Sequence, residues 1–223
     1  MTDPRGILIE FSGLPGTGKS TLARHLAAQT GAGLLRIDEI EAALRRNGLT
    51  PEQAGLAAYS VAHDVAASHL RRGLAVIADA VNPVEEARAG WRGLAQDCGV
   101  RHVVIETQCL DEGEHRRRVR ARDNDVPGWT YPSWERIRQD AHEYQPRTDP
   151  RLVVDTTRPV AACHREIATH LGLGTLRPEQ NKEFSLHGSS DLSTDIEPNF
   201  VYRISKSPET RRAAEVQQHH RRP

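Results

Sequence analysis

Several things are scarce in this 223-residue chain, and each scarcity closes a door. Aromatic residues make up only 4%, too few for the row of stacking platforms that single-stranded nucleic-acid binders use. There is no excess of either charge: Lys plus Arg is 30, Asp plus Glu is 30, and the formal net charge is zero. Bulk electrostatic attraction to nucleic acid is therefore not expected. The three cysteines, Cys98, Cys109 and Cys163, lie far apart with no metal-ligand spacing. That pattern reads as free thiols in a reducing compartment. No apolar run approaches the roughly 20 residues needed to span a bilayer, and "MTDPRG" lacks the charged-then-apolar order of a signal peptide. The expectation is a cytoplasmic protein with no membrane partner.

What is present is a regular alternation. "GILIEF" (6–11), "GLLRI" (33–37), "LAVIADA" (74–80), "RHVVIET" (101–107) and "RLVVD" (151–155) read as buried strands, being short and rich in β-branched residues. Between them, Lys19–Gln29, Asp38–Arg46, Glu52–Arg72, Val84–Asp97, Glu112–Arg122, Ser133–Glu143 and Pro159–His170 read as helices. The alternation predicts an α/β three-layer sandwich with a central parallel five-stranded sheet. Ligands of such a sheet sit beyond the carboxyl ends of its strands. Residues 1–172 are expected to form this domain, with a lid at about 111–145. Residues 173–223 turn polar and rich in Gly, Ser, Pro and Asp, and are expected to form a flexible C-terminal tail with one docked piece at Phe200–Ile204.

The sharpest signal is "GLPGTGKST" at Gly13–Thr21, which satisfies G-x-x-x-x-G-K-[ST] between a strand and a helix. Gly13, Gly16 and Gly18 let the backbone turn its N–H groups inward, and Pro15 and Thr17 complete the loop. Lys19 places a positive charge on the β and γ phosphates, Ser20 is a magnesium ligand, and the helix starting here adds its positive end. The loop predicts a P-loop NTPase fold with ATP and Mg2+ as cofactors. It does not say what becomes of the γ-phosphate, since kinases, motors and switches share it.

The other strand ends narrow the choice. Asp38 follows the second strand, where a carboxylate can face the γ-phosphate and take a proton from a substrate hydroxyl. Asp38 with Glu41 also fits a helix N-terminal capping pattern. Asp79 ends the third strand and is expected to hold a magnesium-bound water or a substrate hydroxyl. Arg88, in the next helix, is expected to reach back to an anionic group of the substrate, the alternative being a surface ion pair. Tyr59 and His63 lie four apart on the long helix where an acceptor would rest, or on a solvated polar face. After the fourth strand, Arg116, Arg117, Arg118, Arg120 and Arg122 crowd one helix, and Arg118 and Arg122 share a face. Arginines delivered by a closing lid neutralise charge on a transferring phosphoryl group, while a plain charge run is a solvated face. The loop at 155–159, with Thr156 and Arg158, is expected near the nucleotide base.

Taken together, "GLPGTGKST", "RIDEI", "VIADAVNPVEEARAGW", "RRRVRAR" and "HEYQP…LVVDTT" resemble the small P-loop kinases. Relatives of this kind are the kinase domain of polynucleotide kinases, adenylylsulfate kinase, gluconate kinase and the zeta-toxin-like sugar-nucleotide kinases. The resemblance covers roughly residues 6–172. It implies Lys19, Arg118 and Arg122 in catalysis, with Arg120 a substitute, and Asp38 as general base. It also implies Thr21 near the α-phosphate and Asp79 and Arg88 on the acceptor side. Two departures stand out. Glu41 occupies the place of an arginine that polynucleotide kinases carry, and "RIDE" stands where adenylylsulfate kinases read "DGD". A small hydroxyl-bearing acceptor (a nucleoside, sugar, antibiotic or related metabolite) fits better than a nucleic-acid 5′-hydroxyl. A nucleotide-dependent switch that transfers nothing is the third reading, and oligomeric state is left open.

Overall fold

The computed structural model describes residues 6–173. The expected tail beyond Leu173, with Phe200–Ile204, lies outside the described residues. Five strands, β1 (Ile7–Ser12), β2 (Gly33–Arg36), β3 (Val76–Asp79), β4 (Arg101–Gln108) and β5 (Leu152–Asp155), form one sheet in the order β2-β3-β1-β4-β5. Every pairing is parallel. Seven helices connect and follow them: α1 (Lys19–Thr30), α2 (Ile37–Arg46), α3 (Pro51–Leu70), α4 (Glu85–Cys98), α5 (Glu112–Arg120), α6 (Trp134–Glu143) and α7 (Val160–Leu171). Every expected strand and helix is present within a few residues of its expected bounds.

The alternation of side chains along β1 builds two cores. Ile9 and Phe11 face one way and pack with Leu22 and Leu26 of α1 and Cys163 and Ile167 of α7. Leu8 faces the other way and packs with Ala58, Ala62 and Ala66 of α3 and Trp91 and Ala95 of α4. The small alanines recur every fourth position, so one face of α3 can approach the sheet closely. The result is helix, sheet, helix, the three-layer α/β P-loop fold. The three cysteines are free thiols. No helix among the described residues is long and apolar enough to cross a membrane.

Chain order explains where the site lies. After β1 the chain runs outward to β2, returns through β3, and then crosses to β4 on the other side of β1. The crevice at the carboxyl end of β1 is thus the point where the winding reverses, the usual ligand position in such sheets. Between β4 and β5 the chain makes an excursion through α5, a loop and α6 before returning at Arg147.

That return is pinned by charge. Glu10, on the Leu8 face of β1, is fully buried. It accepts from Arg147 Nη1 (2.9 Å), Asn82 Nδ2 (3.0 Å) and lies 3.1 Å from His102 Nε2. Arg147 also grips Asp149 through two bonds, of 2.9 and 2.6 Å. A buried charge left without its partner is costly. Arg147→Met is therefore expected to lower the unfolding free energy by about 3 kcal/mol. Urea titration followed by circular dichroism measures this, and a change under half that size would show the pair to be dispensable.

Candidate active site

The Gly13–Ser20 loop is held in shape by a set of hydroxyl groups. Thr17 Oγ1 lies 2.8 Å from Thr107 Oγ1 on β4 and donates to Leu14 O at 2.8 Å. Thr156 Oγ1, after β5, lies 2.8 Å from Thr17 O and 3.0 Å from Gln108 O, and accepts from Arg118 Nη1 at 3.1 Å. Gly13, Gly16 and Gly18 have φ of 131°, 84° and 87°, which favour glycine strongly. Gly18 opens α1 with no side-chain cap, so the first amides of that helix have no side-chain acceptor. Lys19 and Ser20 are buried beneath them. The loop, α5 and the turn after it line a cleft of ≈ 410 Å³, with Gly16, Gly18, Lys19, Ser20 and Thr21 on one wall and Arg117, Arg118 and Arg122 on the other.

Beside this cradle stands Asp79, 2% exposed. Neither of its carboxylate oxygens has a hydrogen-bond partner. Burial pushes its pKa up, against the opposing pull of Lys19 and the Ser20 hydroxyl. A buried carboxylate that accepts no hydrogen bond is expensive even with cations nearby, unless a further donor or cation completes it. The donor set suits magnesium: the Ser20 hydroxyl with phosphate oxygens directly, and Asp79 through water. Among the described residues no cluster of three His, Cys, Asp or Glu could hold a metal without such help.

Asp38 sits in the first turn of α2, partly exposed at the mouth of the site. The capping alternative does not match the geometry. The helix begins at Ile37, its N-cap is Arg36, and no side chain caps it. Its carboxylate faces Arg36 instead, with Arg36 Nη2 at 3.8 Å.

Arg36 is the residue that sequence reasoning missed. It is 2% exposed and stands in register with Asp79 across the β2–β3 pair, with Nε 3.7 Å from Asp79 Oδ2. His115 was missed as well. Its Nε2 bonds Pro15 O at 2.8 Å, tying α5 to the phosphate loop, and its ring meets Trp134 edge-on at 5.1 Å.

Helix α5 ends at Arg120, so Arg122, expected on the same helix, lies in the loop after it, and the five arginines divide accordingly. Arg118 points into the cleft and donates to Thr156 O at 2.8 Å. Arg122 also lines the cleft and lies over the Tyr131 ring, 3.5 Å from its centroid. Arg117 pairs with Glu114 at 2.7 Å, and Arg116 and Arg120 lie on the solvent side. Thr156 braces the loop rather than facing outward. Arg158 is exposed, donates to Asp155 O at 3.1 Å and pairs with Glu166. With Thr21, Leu22 and Cys163 it borders a second hollow of ≈ 290 Å³ that continues from Gly18.

Two acceptor-side expectations, for Arg88 and His63, need revision. Arg88 does not reach toward a substrate. It is fully buried, and its guanidinium donates to the carbonyls of Asn82, Pro83, Gln145 and Pro146 at 2.7–3.2 Å. It clamps the loop after β3 to the segment after α6. His63 turns inward against Trp91, with ring centroids 4.2 Å apart, because α4 presses on it at Gly90, where an added Cβ would lie 2.7 Å from His63 Cε1. Tyr59 packs beside it, 6.4 Å from Trp91. Burial raises the Tyr59 phenol above its ordinary value, and Glu10, Asp38 and Glu41 raise it further, which places it on the Asp38 side of α3.

Two expected outcomes follow from this geometry. A Cβ on Gly16 would lie 2.6 Å from Val119 Cγ2 and demand a left-handed backbone. Gly16→Ala is expected to weaken nucleotide binding about tenfold, the equivalent of one unfavourable left-handed residue. Fluorescent-nucleotide titration measures it. Burial also depresses the pKa of His63, against the opposing charge of Asp64. A folded-state pKa below the unfolded value means stability is full above about pH 6.5 and is lost as pH falls below it. Unfolding free energy should therefore drop between pH 7 and pH 5, and His63→Phe should flatten that drop. Equal slopes in the two proteins would show that His63 does not titrate on unfolding.

With this geometry in hand, comparison with known proteins is informative. A profile of the family described as AAA domain matches residues 8–130. The adenylyl-sulfate kinase of Myxococcus xanthus is 36% identical over 108 residues, 46% of this chain and 58% of that protein. The chain thus spans little more than half the length of this curated relative. Among solved structures, the APS kinase of Mycobacterium tuberculosis in complex with AMPPNP and APS superimposes with a TM-score of 0.55 at 22% identity, covering 76% of this chain and 99% of that one. A gluconokinase from Sinorhizobium meliloti gives 0.55 at 19%, covering 76% and 92%. These structural likenesses speak to the fold, and the profile match speaks to descent. The chain belongs to the AAA domain family of P-loop proteins.

Proposed function

We infer that this chain is a magnesium-dependent kinase that transfers the γ-phosphoryl group of ATP to a hydroxyl of a small-molecule acceptor. The observation that carries the reading is a pair of carboxylates joined through Arg36: Asp79, buried beside Lys19 and Ser20 with no hydrogen bond to either oxygen, and the partly exposed Asp38. A switch that only binds nucleotide has no use for a partly exposed carboxylate at the acceptor side. The similarity to an adenylyl-sulfate kinase supports a kinase without naming the acceptor.

In this reading the phosphate-loop amides and Lys19 hold the β and γ phosphates. The hollow bordered by Thr21, Arg158 and Cys163 receives the base. Magnesium, when bound at Ser20 and near Asp79, offsets the charge on the phosphates. The acceptor oxygen attacks the γ-phosphorus in line, its proton passes to Asp38, and the bond to the β–γ bridging oxygen breaks to release ADP. Arg118 and Arg122 stabilise charge on the equatorial oxygens. Of the expected lid at 111–145, residues 121–145 keep water out while this happens, α5 being tied to the phosphate loop through His115. Most of the acceleration comes from positioning and charge, because the transferring group needs little covalent assistance.

The test uses γ-labelled ATP, Mg2+ and a panel of nucleosides, sugars, aminoglycosides and fractionated metabolites. Label is expected in a small molecule. In Asp38→Asn it is expected to fall by at least about 100-fold, the usual range for a lost general base, with nucleotide affinity unchanged. Label appearing only as inorganic phosphate would defeat the kinase reading. Nucleotide affinity falling in step with transfer would remove Asp38 from the role of base.

A further inference from the structure

The loop between α5 and α6 places one carboxylate where cations converge. Asp125 accepts from both ends of the Arg36 guanidinium, Nη1 to Oδ2 at 2.9 Å and Nη2 to Oδ1 at 3.4 Å. Arg24 Nη1 lies 2.9 Å from Oδ2 and Arg122 Nη2 lies 3.8 Å from Oδ1. The Tyr131 hydroxyl donates to Asp125 while accepting from Arg36 Nη2 at 2.7 Å. Burial alone would raise the pKa of Asp125, but the bonds from Arg36 and Tyr131 hold it well below the ordinary carboxylate range. On its other side Arg36 meets Asp79 and Asp38, and Glu39 accepts from Nη1 at 3.3 Å.

The two parallel N–H···O contacts from Arg36 are those of a guanidinium fork receiving an oxyanion. The fork is 2% exposed, whereas Asp125 comes from a loop and Arg24 is 49% exposed. Asp125 and Arg24 line the same cleft as Lys19 and Ser20. Any opening of the lid that admits an acceptor between the phosphate loop and Asp38 pulls Asp125 away. The buried fork would then lose its one bidentate partner and keep only the longer contacts to Glu39, Asp79 and Asp38 at 3.3–3.8 Å, at a cost in unmet hydrogen bonds. An arriving oxyanion removes that cost.

We propose that Asp125 is an internal stand-in for an anionic group of the acceptor, and that Arg36 and Arg24 bind that group when the acceptor displaces Asp125. The acceptor is then a compact molecule carrying a carboxylate, sulfate or phosphate close to the hydroxyl that reacts, since Arg36 lies 3.8 Å from Asp38. Calling the anion an acceptor rests on the kinase reading. The existence of the site does not.

The experiment is calorimetric titration of inorganic sulfate into the full chain already saturated with Mg2+ and a non-hydrolysable ATP analogue, so that the phosphate loop is filled. An intramolecular carboxylate competes at an effective concentration in the millimolar range or above, so Asp125→Ala is expected to tighten sulfate binding about tenfold. The gain should vanish in Asp125→Ala/Arg36→Gln and in Asp125→Ala/Arg24→Gln. The second double variant guards against misfolding, because Arg24 is half exposed. Unchanged sulfate affinity in Asp125→Ala, or a gain that survives both arginine substitutions, overturns the proposal. So does an Asp125→Ala protein that binds the ATP analogue more tightly and gains no sulfate site, because the cluster then serves the nucleotide's γ-phosphate. A chain that shows the gained site yet phosphorylates nothing would defeat the kinase reading and leave the anion site standing.

Discussion

A loop rich in glycine holds no shape by itself, and everything at this site depends on the one it adopts. Glycine permits the left-handed turns at Gly13, Gly16 and Gly18, but permission is not rigidity. The rigidity comes from hydroxyl groups on two neighbouring strand ends. Thr107 and Thr156 reach in from β4 and β5 and hold Thr17 from both sides. Those strands can reach it because they lie on the same side of β1, which follows from where the winding of the sheet reverses. Fold topology and phosphate-loop geometry are therefore one constraint seen at two scales.

A second layer of organisation uses buried arginines as struts. Arg88 gathers four carbonyls from two loops. Arg147 joins Glu10 in the core to Asp149 beyond the excursion. Guanidinium groups suit this work because five donors in a fixed plane can satisfy several backbone acceptors at once. The pair of loops that Arg88 joins, after β3 and after α6, flanks the acceptor side of the cleft. The walls of that side are thus set by groups whose donors are taken up by the protein itself.

Most of the architecture was legible in the sequence because it rests on local signals. Short β-branched runs, helical periods and one tightly constrained motif sufficed for the strands, the helices and the phosphate loop. What stayed hidden depends on register and long-range approach. Arg36 lies 43 positions from Asp79 in sequence, and only the β2–β3 alignment sets them side by side. Asp125 is an unremarked member of "DNDVPGW" until the fold carries it to Arg24 and Arg36. Arg88 misled for the converse reason: an arginine on a helix reads the same whether its donors meet a ligand, water or backbone. His63 was drawn inward by the absence of a side chain at Gly90, which no pattern of helical spacing on α3 could reveal.

The bond from His115 to Pro15 O bears on how the cover over the cleft can move. It fastens α5 to the phosphate loop, with Val119 packed against the bare Cα of Gly16. The helix bearing Arg118 therefore belongs to the stationary floor of the machine. In the proposed kinase, any closing movement falls to the residues past it, from Ala121 through α6. Nucleotide can then be gripped by one half of the arginine set before the other half arrives. For the proposed reaction, the order of events would then follow from which arginines lie on α5 and which lie beyond it.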